Sequence, residues 1–289
     1  NYPPCETRMS LSLSILASGS SGNCSVLRGP RGAMLIDCGI GPRTAAGRMK
    51  GLGIGVGDVS AICLTHLDSD HFNPAWARRI AQQGIALFCH QDRTDELSRL
   101  GGGAAEFARL IRPFNGRPFS PVEGVQFTAI RLDHDEHGSH GFRIDGFGAR
   151  IGYATDLGRA NGELVRQFCG AGVLAIESNY DPQMQTNSDR PWFLKRRIMG
   201  GRGHLSNQEA LDAVRRILDR ADRRGAALPR HIVLLHRSRQ CNCPRLLRDL
   251  FSGDGRIGKR LVLAEQDRPT GWLWAKSKPA CVQLELQWA

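Results

Sequence analysis

Short apolar runs bounded by glycine, proline or aspartate recur along the chain: LSLSILAS from Leu11, GAMLIDCG from Gly32, AICLTH from Ala61, IALFCH from Ile85, VQFTAIRL from Val125, ARIGYATD from Ala149, GVLAIES from Gly172 and HIVLLH from His231. Each is rich in aliphatic or β-branched residues with little polar alternation, which predicts strands of a mostly buried sheet. Segments of helical period lie between them. Asn73 as cap and Pro74 in the first turn open one helix, which Gly84 closes. The longest starts at Ser206, where SNQE forms a capping box with Glu209, and runs through Leu211, Val214, Ile217, Leu218 and Ala221 to Gly225. Its other face carries Arg215, Arg216, Arg220, Arg223 and Arg224, which by default is simply solvated. GWLWA and VQLELQWA, separated by KSKP, predict two short finishing strands. No repeat, linker or composition shift divides the pattern. It predicts one α/β domain over residues 9–289, with residues 1–8 as an extension ahead of the first strand.

Composition changes this picture little. A chain of 289 residues with 41% apolar content can bury a sizeable core. No window approaches the roughly 20 apolar residues of a membrane span, and NYPPCETRMS lacks the layout of an export signal, so a cytoplasmic, non-membrane protein is expected. The nine cysteines, at 5, 24, 38, 63, 89, 169, 241, 243 and 281, lack the spacing of a disulfide scaffold and read as reduced thiols. Cys38 and Cys63 fall in apolar strands and are expected in the core, while the CNC at 241–243 is a weak metal signal without a second such pair. The net charge of +11 attracts polyanions such as nucleic acid, although an arginine-rich surface needs no partner.

The chemistry concentrates in LTHLDSDHF, residues 64–72, which places His66, Asp68, Asp70 and His71 in a loop between a strand and the Asn73 helix start. Loops at the carboxyl ends of strands are where open α/β sheets bind ligands. Crowded imidazoles and carboxylates need a cation among them, and divalent metals take these nitrogen and oxygen donors. Other candidates end strands further along: Asp37, His134, Asp156 and His236. In this order the residues resemble the motifs of the metallo-β-lactamase fold, a four-layer αββα sandwich: a strand-end Asp, an H-x-H-x-D-H loop, a His, an Asp and a final His. Within that superfamily LASGSSGNC, LIDCG, the HD at 134–135, ATDLG, ESNYD, FLKRRIMGGRGHLSN and LLHRSRQCN resemble the blocks of the YycJ/WalJ-type proteins. Members of that family are taken to be metal-dependent nucleases, in particular 5′-to-3′ DNA exonucleases.

The resemblance implies two divalent metal ions and a metal-activated water. His66 and His134, with whatever position 68 provides, would hold one ion; Asp70, His71 and His236 the other; Asp156 would bridge them. Asp37 would support the loop ligands from behind. His204 would lie near the substrate phosphate as proton donor or phosphate contact, and Asp70 and His204 are the catalytic candidates. Asn23, Asn179, Ser206, Asn207 and Arg237 are candidates for positioning the phosphate, each with an ordinary turn or cap role as the alternative.

The departure from the family is Asp68, which stands where a second histidine is usual. Either it ligates through oxygen, or it holds a water, or the first site is weakened. An acidic group in this slot has a precedent in the iron-binding flavodiiron proteins, and oxygen there shifts preference from Zn towards Mn or Fe. His137 and His140 lie close enough to His134 in sequence to compete with it. Arg196, Arg197, Arg202, Arg237 and Arg239 flank His204 and His236 and suit a phosphate backbone. Trp192 and Phe193 suit stacking on unpaired bases, or packing beneath their block. The leading expectation is therefore a DNA nuclease. The alternatives are a small-molecule phosphodiester hydrolase on the same fold, or a catalytically weakened nucleic-acid-binding protein in which Asp68 has cost the first metal.

Overall fold

The computed structural model describes residues 10–276; the expected N-terminal extension and the VQLELQWA strand lie outside the described residues. In chain order the strands are β1 (Ser12–Ala17), β2 (Cys24–Gly29), β3 (Gly32–Ile36), β4 (Val59–Cys63), β5 (Ala86–His90), β6 (Ile111–Phe114), β7 (Phe119–Val122), β8 (Val125–Leu132), β9 (Ser139–Gly146), β10 (Ala149–Ala154), β11 (Val173–Glu177), β12 (His231–Leu235), β13 (Leu261–Leu263) and β14 (Leu273–Trp274). The helices are α1 (Pro42–Lys50), α2 (Ala77–Gln83), α3 (Thr94–Leu100), α4 (Ala105–Ala108), α5 (Gly162–Phe168), α6 (Pro182–Asn187), α7 (Trp192–Met199), α8 (Asn207–Arg223) and α9 (Pro244–Ser252).

The strands form two seven-stranded sheets, ordered β14-β1-β2-β3-β4-β5-β6 and β13-β12-β11-β10-β9-β8-β7. Each is mixed: β3 to β6 run parallel, as do β10 to β13, while the hairpins β1-β2-β3 and β7 to β10 are antiparallel. Alternate residues of one strand serve different layers. On β3, Met34 and Ile36 face the second sheet's Phe127, Phe142 and Tyr153, whereas Ala33 and Leu35 join Met49 of α1, Ile80 of α2 and Leu97 of α3. On β12, Val233 and Leu235 enter the inter-sheet layer while Ile232 and Leu234 meet α5, α8 and α9. The architecture is thus a four-layer αββα sandwich, and burial on both faces explains why these strands read as unbroken apolar runs.

Helix ends follow the local chemistry. Asn73 Oδ1 accepts from Ala75 N, a short 3₁₀ turn at Pro74–Trp76 leads into α2, and Gly84 ends it in the left-handed conformation at φ 65°. Ser206 and Glu209 cap α8 reciprocally, and its buried face carries the predicted Leu211, Val214, Ile217 and Leu218. Cys38 and Cys63 are fully buried, as expected.

The strand directions set the position of the site. The carboxyl ends of β1, β3 and β4 in one sheet and of β8, β10, β11 and β12 in the other open at the same end of the sandwich, so the loops that follow them converge there.

Candidate metal centre

Three strand ends turn abruptly at this edge. Asp37 after β3, Asp156 after β10 and His236 after β12 have positive φ values of 57°, 51° and 51°. The left-handed region is uncommon for residues other than glycine and concentrates at functional sites. Here the turn stops each strand and leaves a polar side chain at its mouth.

The loop from His66 to Phe72 is fastened on several sides. Cys38 N donates to His71 O at 2.8 Å, Asn73 N to Cys38 O at 3.1 Å and Asn23 N to Asp70 O at 2.6 Å. Gly39 lies so close that a Cβ there would sit 1.8 Å from the Asp70 carbonyl oxygen, so only glycine fits. Asp37, fully buried, accepts from Thr65 N at 2.8 Å, from Thr65 Oγ1 and from His71 Nδ1 at 2.8 Å. Burial pushes its carboxyl upward, against the opposing pull of His71 and Thr65.

The five imidazoles at this edge share one arrangement: Nδ1 meets a fixed oxygen, which leaves Nε2 for other work. His66 Nδ1 lies 3.0 Å from Thr65 Oγ1, His71 Nδ1 contacts Asp37, and His134 Nδ1 donates to Gly203 O at 2.8 Å. His204 Nδ1 and His236 Nδ1 both reach Glu177 Oε1, at 2.7 Å and 3.0 Å. A carbonyl can only accept, so the His134 contact fixes its tautomer with the Nε2 lone pair free.

Ligand atoms of these side chains fall within 4.8 Å of one another in overlapping groups: His66, Asp68 and His134; Asp70, His71 and His236; His66, His71 and Asp156; and Asp156, Glu177, His204 and His236. Asp156 Oδ2 lies 2.9 Å from His71 Nε2, and its Oδ1 lies 3.2 Å from His236 Nδ1. Asp70 Oδ2 approaches His236 Nε2 at 3.4 Å and His71 Nε2 at 3.5 Å. Asp68 is the outermost member, half-exposed, with Oδ2 3.7 Å from His66 Nε2.

The charge balance fits a bound cation. Burial disfavours a proton on His71, yet Asp156 and Asp37 outweigh it and hold the ring well above the ordinary imidazole range. His236 is likewise pushed up to about 10, by Asp156, Asp70 and Glu177 against burial. Burial opposes the charge on Asp156 too, and His236 and His71 reverse that, holding its carboxyl far below the usual range. His66 goes the other way: burial and then His71 depress it, so its ring is neutral. The buried carboxylates thus draw positive charge onto His71 and His236, charge that a divalent cation among these nitrogen and oxygen donors would supply in its place.

A cavity of about 290 Å³ opens over the cluster, lined by Asp68, Asp70, His134, Asp156, His204 and His236, with Asn179, Arg190, Arg197 and Ile198 on its walls. The other sequence candidates sit around it in different capacities. Asn23 is buried behind the loop, its Nδ2 2.9 Å from His71 Nε2 and 3.2 Å from Asp70 Oδ2. Asn179 Nδ2 donates to His236 O at 2.7 Å and lies 3.1 Å from its Nδ1. Ser206 is engaged by its capping box, and Asn207 is buried against Ser178 and Asn242. Arg237 is half-buried and stands outside the cavity lining. His134 lies against His66 at 5.2 Å between ring centroids, whereas His137 and His140 line a neighbouring cavity, where His140 stacks on His90 at 4.6 Å. Arg197 pairs with Asp135, and Arg239 with Asp267.

Sequence reasoning missed Glu177. It lies within the ESNYD block, fully buried at the end of β11, and takes four contacts: His204 Nδ1, His236 Nδ1, Leu157 N at 3.0 Å and Leu205 N at 3.3 Å. Burial opposes its charge, but His204 and His236 hold the carboxyl below the usual range. The available signal was an acidic residue closing an otherwise wholly apolar strand.

Residues 33–232 match the family described as the beta-lactamase superfamily domain. The chain belongs to this family. Among curated members, an exodeoxyribonuclease YycJ from Bacillus anthracis is 25% identical over 242 residues, covering 83% of this chain and 87% of its own. An exodeoxyribonuclease WalJ from Streptococcus pneumoniae is 25% identical over 208 residues, covering 71% and 76%. Among solved structures, the metallo-β-lactamase fold protein YhfI from Bacillus subtilis superimposes with a TM-score of 0.64 at 14% identity, covering 90% of this chain and 98% of its own. The chain is a metallo-β-lactamase superfamily hydrolase, and the histidine and aspartate clusters are its candidate metal-binding residues.

Proposed function

We propose that this hydrolase is a metal-dependent DNA nuclease of the 5′-to-3′ exonuclease type, with a dinuclear metal site. The observation that carries it is the meeting of two histidine and carboxylate triads at Asp156, on the floor of a cavity edged by arginine. His66, Asp68 and His134 would hold one ion and Asp70, His71 and His236 the other, with Asp156 shared. Bound divalent ions supply Lewis-acid polarisation of a phosphodiester and activation of water. The oxygen of Asp68, in place of an imidazole, favours Mn or Fe over Zn.

The chain's own groups do the rest. Asp37, Thr65 and Asn23 fix the loop ligands, and Glu177 takes the Nδ1 proton of His204 as counter-charge, so that the imidazolium form of that ring can pass its Nε2 proton to the leaving oxygen. Arg190 and Arg197 on the cavity wall attract the phosphate backbone without reading bases. The curated relatives named as exodeoxyribonucleases support DNA as substrate. Seven free thiols among the described residues support a cytoplasmic location.

The test is cleavage of a 5′-phosphorylated, end-labelled DNA by metal-stripped protein resupplied with Mn or Zn, with Asp70→Ala as control. Metal-dependent products that vanish in the variant are expected. Turnover of a chromogenic phosphodiester with intact DNA would replace the DNA reading by a small-diester one, and salt-sensitive DNA binding without turnover would leave a binding protein.

A further inference from the structure

Helix α7 runs along the rim of the metal cavity. Leu194, Arg197 and Ile198 line the cavity wall, and the helix rests on a small apolar cluster of Tyr180, Ile198 and Cys241. In its first turn Trp192 and Phe193 are each 73% exposed and stand outside the cavity lining. Only five large apolar side chains stand exposed among the described residues, and Trp192, Phe193 and Met199 on α7 are three of them. Apolar surface held in water is unfavourable, and its concentration beside a site marks a contact surface. Arg196 and Arg197 follow the two aromatics at i+4, so each ring shares the helix surface with a guanidinium.

We infer that α7 is a stacking platform for the unpaired end of the strand whose phosphodiester enters the metal cavity. This rests on the DNA reading above and adds to it the form of the substrate: a single-stranded end. Two arguments converge on this occupant. Rings interleaved with arginines offer π-faces and phosphate partners together, which is the arrangement that holds single strands. Bases inside a duplex stack on one another and show only their edges, so the ring faces of α7 are of use only to unpaired bases.

The experiment compares holoenzyme and Trp192→Ala/Phe193→Ala for binding, at fixed salt, to a short 5′-phosphorylated single-stranded phosphorothioate oligonucleotide and to a blunt phosphorothioate duplex. Cleavage of the tailed and blunt phosphodiester forms is measured alongside. Affinity for the single strand is expected to fall roughly tenfold for each ring removed, with the preference for tailed over blunt DNA lost. Trp192→Phe/Phe193→Tyr recovers most of it, because stacking needs only an aromatic face. An equal loss on both ligands, or no loss, overturns the inference. So does a variant that keeps its oligonucleotide affinity while losing self-association or binding to anionic phospholipid vesicles, which would give the surface to a second copy or to a membrane. If wild-type protein turns over a chromogenic diester but no DNA, the DNA reading fails and takes the platform with it. If wild type cleaves DNA while the alanine variant keeps its preference for tailed ends, the platform alone fails.

Discussion

Asp68 and Glu177 carry the residue-scale consequences. Asp68 is the half-exposed member of the outer triad, and the resemblance to the H-x-H-x-D-H loop sets its oxygen where that motif has an imidazole nitrogen. Asp68→His is expected to raise activity with Zn relative to Mn, because imidazole is the softer donor; an unchanged Zn to Mn ratio in metal-stripped, resupplied protein would show that position 68 does not touch the metal. Glu177 works from behind, receiving both His204 and His236 on one oxygen while the other takes two backbone N–H groups. Glu177→Gln keeps the volume but puts an amide N–H against a donor. Losing such an outer carboxylate typically costs about 10- to 100-fold in metal affinity or activity, and metal titration together with turnover reads it. Wild-type values for both would mean that the carboxylate does not orient these rings.

At the scale of elements, α8 is held to the segment after α9 by charge as well as by the apolar contacts of Leu218, Leu247 and Phe251. Arg256 bonds Asp254 at 2.9 Å, Asp219 at 2.8 Å and Asp222 at 2.9 Å. The guanidinium holds the Asp254 carboxyl down at about 2 from its ordinary value near 4. A carboxyl depressed in the folded state contributes stability above its unfolded pKa, and loses it as pH falls through the folded one. The stability gap between wild type and Asp254→Asn is therefore expected to be constant above about pH 4 and to close towards pH 2, in urea titrations across that range. A gap that persisted at pH 2 would assign the effect to packing. The elements themselves were legible to different degrees. Asn73, Pro74 and Gly84 bracket α2, and Ser206 and Glu209 start α8, because those signals act within one turn. Strands β2, β6, β7, β9 and β13 were not picked out: Cys24–Gly29 and Ser139–Gly146 carry polar and glycine positions that become strand only by pairing with neighbours already in place.

For the whole molecule, the net charge of +11 and the exposed Arg196 and Arg202 beside the cavity predict DNA binding that weakens steeply with salt. The logarithmic slope is expected to be about −0.9 for each duplex phosphate contacted, and Arg196→Ala/Arg202→Ala to reduce it by about 2. A slope unaltered in that variant would place the phosphate track elsewhere. The sequence by itself determined an α/β fold of buried strands and the list of strand-end histidines and aspartates, since apolar runs ending in polar residues are local features; the αββα layering came only with the resemblance of those residues to the metallo-β-lactamase motifs. It could not divide those runs between layers: Met34 and Leu35 are equally apolar, and only the second sheet and α1 decide which core each enters. It kept His134 over His137 and His140 only through the resemblance of its HD pair, and it could not place Glu177 behind two rings, or tell that Trp192 and Phe193 stand in solvent while Ser206 and Asn207 are taken up by helix α8 and its neighbours. Those distinctions depend on which side chains from distant strands meet at one edge of the sandwich, and that is fixed by packing across the chain rather than by any neighbour in sequence.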